Sequence, residues 1–98
     1  MRPQIETDRF VTISTGHVSH ETGQMLDDTE PAKWPCVGGS YADYGWFVYA
    51  HEENCGIGDQ CIPDDLFAVM VWARKNGASH VLLDRDGDRI DDLEWFDW

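Results

Sequence analysis

No apolar run in this 98-residue chain approaches the ~20 residues that a membrane-spanning helix requires. Residues 1–9 form a polar lead-in without the apolar core of a signal peptide, so a cytoplasmic protein is expected. Basic residues are scarce. Seven Lys and Arg stand against nineteen Asp and Glu, which leaves a formal charge of −12 and a pI near 4.3. Such a surface repels nucleic acid and anionic membrane, so neither is expected as a direct partner.

Cysteine is also sparse. Cys36, Cys55 and Cys61 are an odd set, which argues against a disulfide scaffold and makes reduced thiols the default. A Cys55–Cys61 bridge remains open; it would close a short loop and stabilise by roughly 2 kcal/mol. Phosphate-cradling glycine motifs are missing. Ser14, Thr15 or a cysteine could be set near a histidine, but no spacing joins a nucleophile, a base and an orienting acid. The chain is therefore expected to be no enzyme and to need no cofactor.

Aromatic residues are what it does have. They make up 12% of the chain, far more than disordered acidic tails carry, so a folded domain is expected over residues 1–98. Residues 10–14 alternate and read as a strand. Ser19 can cap a short helix over 20–27. Residues 28–44, with two prolines and a Gly-Gly pair, read as a long loop. Residues 44–51 are aromatic and β-branched, the best central strand, and 52–62 form another loop. The clearest helix spans 63–76. Pro63 suits its first turn, Asp64 and Asp65 its positive end, Arg74 and Lys75 its negative end, and Gly77 its stop. Leu66, Val69, Met70 and Ala73 fall at i, i+3, i+4, i+7 and form its core stripe, widened by Phe67, Val71 and Trp72. Residues 79–84 read as a strand and Asp86-Gly87-Asp88 as a turn. Residues 89–98 read as a returning strand, bulged near Asp91-Asp92 where the apolar phase shifts. The expected fold is a small single α+β domain, β-α-β-α-β-β. Its sheet is mostly antiparallel, with helices on one face and a C-terminal β-hairpin.

The acids crowd one end. Seven of them against Arg85 and Arg89 leave −5 over residues 84–98. On an extended strand Asp84 and Asp86 would point the same way about 6.7 Å apart, a spacing comparable to neighbouring phosphates along one nucleic-acid strand. Asp84, Asp86, Asp88, Asp91, Asp92 and Glu94 are therefore the principal partner-binding candidates. Glu52, Glu53, Asp64 and Asp65 are secondary ones, because a loop and a helix start can lie beside the sheet edge. A solvated hairpin whose charges prevent edge-to-edge aggregation is the plainer reading. Calcium fits poorly: counted from Asp84, the positions that need Gly and Glu hold Arg89 and Trp95. His17, His20 and Glu21 stand in the wrong order for a helical zinc site. Cys36, His51, Cys55 and Cys61 could hold zinc, but their spacing is looser than that of paired-cysteine knuckles, and no metal is expected.

Several segments carry a resemblance: Ser14-Thr15-Gly16-His17-Val18, Tyr44-Gly45-Trp46-Phe47-Val48-Tyr49, the helix from Pro63, Leu83-Asp84-Arg85-Asp86-Gly87, and Phe96-Asp97-Trp98. Over about residues 10–98 the chain is similar to a family of small uncharacterised proteins on plasmids, phages and other mobile elements of proteobacteria. The resemblance implies a bacterial host and the company of antirestriction and anti-CRISPR genes, whose small acidic products often mimic DNA. The expected function is an anti-CRISPR or other anti-defence inhibitor. It would act as an acidic DNA mimic on the basic surface of a nucleic-acid-binding protein, either a CRISPR effector subunit or a restriction enzyme. The alternative is a small structural or zinc-binding module of a mobile element with no inhibitory role.

Overall fold

The computed structural model describes residues 7–54 and 60–97. Four strands and two helices follow one another: β1 (Phe10–Ser14), α1 (His20–Asp28), β2 (Gly38–Tyr41), β3 (Gly45–Tyr49), α2 (Asp64–Lys75) and β4 (His80–Asp84). Single 3-10 turns lie at Thr15–His17 and Pro31–Lys33. The strands form one mixed sheet in the order β1-β4-β3-β2. β1 runs parallel to β4, while β4 with β3 and β3 with β2 are antiparallel.

Register explains the core. Val11 sits opposite Val81 and Ile13 opposite Leu83, while Val81 faces Val48 and Leu83 faces Trp46. Alternate residues of a strand share a face, so these six side chains make one apolar stripe across three strands. Leu66, Val69, Met70 and Ala73 of α2 pack on it, as does Leu26 of α1. The stripe expected from helical spacing is thus the buried one. The opposite face carries a ladder of rings. Phe10 meets Phe47 edge-on at 5.6 Å, Phe47 stacks on His80 at 5.2 Å, and Tyr49 meets His80 at 5.3 Å.

Each helix end has a chemical cause. Ser19 Oγ accepts the Thr22 N–H at 3.2 Å and starts α1. The fully buried Trp34 donates its indole N–H to the carbonyls of Leu26 (3.1 Å) and Thr29 (2.8 Å), satisfying acceptors that the end of α1 leaves open. Asp64 and Asp65 lie in the first turn of α2, Arg74 and Lys75 in its last, and Gly77 follows at φ +81°.

The architecture departs from the expected order in two places. β2 lies inside the stretch read as a loop, so the described order is β-α-β-β-α-β. Its sequence, Gly-Gly-Ser-Tyr, has little strand propensity. It pairs because Gly38 lets the backbones close up: a Cβ there would meet the Phe47 carbonyl oxygen. The second departure is the C-terminal hairpin, which is not formed among the described residues. After β4 the chain runs without strand structure to Asp97. The apolar phase shift at Asp91-Asp92 marks a turn, closed by Leu93 N–H donating to the Ile90 carbonyl at 3.2 Å, and no bulged strand.

Candidate functional site

The acidic segment begins where β4 ends. Asp84 Oδ1 accepts the Asp86 N–H at 3.0 Å and the Asp84 carbonyl accepts the Gly87 N–H at 2.8 Å. Residues 84–87 are therefore a side-chain-closed turn. This corrects the extended-strand geometry behind the 6.7 Å spacing: Asp84 and Asp86 do not lie on one straight strand. Gly87 allows the turn to lie against β1, since a Cβ there would fall 2.5 Å from the Ile13 carbonyl group.

Beyond the turn, backbone groups that would have formed a hairpin ladder bond instead to the end of β1 and the 3-10 turn after it. Ser14 N–H donates to the Asp88 carbonyl at 2.9 Å, and Phe96 N–H donates to the Gly16 carbonyl at 2.8 Å. His17 supplies the centre. Its Nε2 accepts the Ile90 N–H at 2.8 Å, and its Nδ1 lies 2.8 Å from the Glu94 carbonyl. A carbonyl only accepts, so Nδ1 bears the proton and donates. The ring is 2% exposed and meets Trp95 edge-on at 5.5 Å. Trp95 also covers Gly16, where a Cβ would come within 2.5 Å of the indole. Four hydrogen bonds and one indole thus fix the path of the segment.

Outward from that path, Asp86, Asp88, Asp91, Asp92 and Glu94 are exposed, and Asp84 is half-buried. The two cations inside the segment lean on rings. Arg85 lies over Tyr44 at 5.1 Å and Arg89 over Trp95 at 4.8 Å. Among the described residues, none of the six principal carboxylates is in an ion pair; the pair present is Arg74–Glu52 at 3.5 Å.

The secondary candidates separate. Glu53 and Asp64 are exposed, as is Glu52 with its Arg74 contact. Asp65 faces inward. Its carboxylate accepts the Ser19 N–H at 2.6 Å and the Thr22 hydroxyl at 2.9 Å, tying the starts of the two helices together. Asp65→Ala is expected to cost about 2 kcal/mol by leaving the Ser19 N–H without its acceptor, a loss that chemical denaturation reads directly.

An open cavity of about 390 Å³ lies at the same end of the sheet, lined by Thr15, Asp27, Asp43, Tyr44, Trp46 and Arg85. Its polar groups are partly committed: Asp27 accepts the Trp46 indole N–H at 2.9 Å. Ser14 Oγ accepts the Gly16 N–H at 3.1 Å, and both nitrogens of His17 are engaged, so this hydroxyl and ring do not form a nucleophile–base pair.

Of the zinc candidates, Cys55 lies outside the described residues. Cys36 and Cys61 are free thiols. Burial pushes the Cys36 thiol up to about 11, away from the thiolate that binds metal. His51 Nε2 accepts the Val37 N–H at 3.0 Å. Burial, and then the Arg74 charge, hold His51 below the usual histidine range. Among the described residues no three His, Cys, Asp or Glu groups converge to hold a metal ion, and no helix is long and apolar enough to cross a membrane.

Sequence reasoning placed the acids but missed His17 as their fastener. A single histidine between Gly16 and Val18 carries no periodicity, and only its contact with Ile90 and Glu94 reveals the role. No curated protein and no solved structure is detectably similar to the chain. The model of a family of unknown function (DUF5983), C-terminal domain, matches residues 10–98. That span holds every described strand and helix and the whole acidic segment, and the chain therefore belongs to the DUF5983 family.

Proposed function

We propose that the protein is a non-catalytic binding protein whose acidic C-terminal segment occupies the basic surface of a partner that normally holds nucleic acid. One observation carries this reading: five exposed carboxylates project from a backbone path fixed by His17, Gly16 and Ser14, and no cation pairs with them among the described residues. A partner's Lys and Arg would meet charges that are already positioned and lose little ordering entropy. The more specific form is an anti-defence inhibitor of the anti-CRISPR kind, which competes with DNA on a bacterial effector. It draws on the resemblance to mobile-element proteins and on the net charge of −12. The mimicry would be one of charge density, since the turn at residues 84–87 removes the regular strand spacing.

The triple variant Asp91→Lys, Asp92→Lys, Glu94→Lys tests it. All three side chains are exposed, so circular dichroism should be unchanged. Co-purification with a tagged basic effector complex should be lost, and the wild-type interaction should weaken steeply as salt rises. Equal capture of the triple variant and the parent would refute the proposal.

A further inference from the structure

Between the outer side of α2 and the acidic segment runs an open groove of about 460 Å³. Its floor is apolar: Ala68 and Val71 are exposed, and Trp72 and Leu93 are half-buried. Val71 is 38% exposed although its helix neighbours Val69, Met70 and Ala73 are fully covered. The rim is charged. Asp92 lines one side, and the exposed Asp91 precedes it. Asp64 begins the same helical stripe, since positions 64, 68, 71 and 75 fall at i, i+4, i+7, i+11. Lys75 is the cation at the far end.

Resting on the acidic-segment reading, we infer that this groove is the anchor point of the interface. It takes one apolar side chain, aromatic or long aliphatic, from a partner segment in which Lys or Arg flanks that side chain. The apolar group would lie on Val71, Trp72 and Leu93 while the flanking cations reach Asp92, Asp91 and Asp64. Charge selects this occupant over others. Phosphates of nucleic acid or of an anionic membrane would face the same carboxylates as like charges. A second copy of the chain would bring its own −12 to the contact. An apolar anchor ringed by screened ion pairs is the usual energetic plan of a protein interface: the buried centre supplies affinity and the rim steers approach.

Two synthetic peptides of equal charge separate the anchor from the charge. Both are Lys- and Arg-rich. One carries Trp-Leu at its centre and the other Ser-Ser. Calorimetry at low ionic strength should show the Trp-Leu peptide binding about tenfold tighter. Amide shifts on the intact protein should centre on Ala68, Val71, Trp72 and Leu93. Val71→Asp should abolish the preference for the Trp-Leu peptide, since it removes the apolar floor while its added carboxylate attracts both cationic peptides alike. Ala68→Glu, on the same exposed stripe, serves as the second variant should Val71→Asp disturb the helix. Equal affinities for the two peptides, or a difference that survives both variants, overturn the groove while leaving the acidic segment as the binding site. Failure of both peptides to bind overturns the acidic-segment reading and the groove together. A dimer in sedimentation that Val71→Asp converts to monomer overturns the inference by making a second copy the occupant.

Discussion

Gly45→Ala is expected to cost about 4 kcal/mol or more, against a total stability on the order of 5–15 kcal/mol for a small domain. Gly45 opens β3 at φ +156° and pairs with Asp84 across the antiparallel β3–β4 ladder. A Cβ there would fall inside the van der Waals shell of the Leu83 carbonyl oxygen, with the Leu83 carbonyl carbon and Asp84 Cα of the same peptide unit also within 3.3 Å. Backbone cannot swing aside as a side chain can. The added methyl must push β3 from β4 at the point where Trp46 and Leu83 meet in the core. Urea denaturation should show a large fall in midpoint. Gly39→Ala is the control: nothing lies within 4 Å of its Cβ, and its midpoint should hold within about 0.5 kcal/mol. Similar midpoints for the two variants would show that close approach at Gly45 does not secure the sheet.

His17→Ala is expected to cost about 3 kcal/mol, and the damage should be local. The Ile90 N–H loses its acceptor and the Glu94 carbonyl its donor, and an unmet buried donor alone costs roughly 1–3 kcal/mol. The ring's contact with Trp95 goes as well, adding a small cavity. Hydrogen exchange should accelerate at Ser14, Ile90 and Phe96, whose amides hold or are held by the segment, while α2 amides slow to exchange in the parent stay slow. His17→Gln returns an acceptor toward the Ile90 N–H and should recover part of the loss. Uniform acceleration across the sheet and α2 would mean that His17 supports the whole core and not the segment. If the segment is the binding surface, His17→Ala should also weaken partner capture with every carboxylate still present, because the charges would then have to be ordered on binding.

What could be read beforehand tracks what is local. α2 was legible because propensity, dipole charges, Pro63, Gly77 and the stripe of Leu66, Val69, Met70 and Ala73 all agree. β1 was legible from alternation, β3 from its aromatic and β-branched residues, and β4 as the short run 79–84 ahead of a turn signal. β2 was not, since Gly-Gly-Ser-Tyr pairs through the absence of side chains at Gly38, a feature visible only beside Phe47. The C-terminal strand failed for a tertiary reason: Ser14, Gly16 and His17 take the backbone groups that a hairpin partner would have used. The candidate carboxylates were plain in the composition, yet their fates were not. Asp84 closes a turn and Asp65 ties two helices, and nothing in their spacing separates them from Asp91 or Asp92. The neighbouring cations enter the sequence only as a charge count, and their stacking on rings, Arg85 on Tyr44 and Arg89 on Trp95, is tertiary.

The parallel pairing of β1 with β4 also orders events in time. Phe10 finds its partner in His80, seventy positions later. As the chain leaves the ribosome, β2 and β3 can zip into a hairpin early, but the first strand waits until the fourth has been synthesised. The sheet therefore closes only after residues 80–84 have been synthesised, and until then the apolar side of β1 stands uncovered, within reach of a chaperone or of another nascent chain.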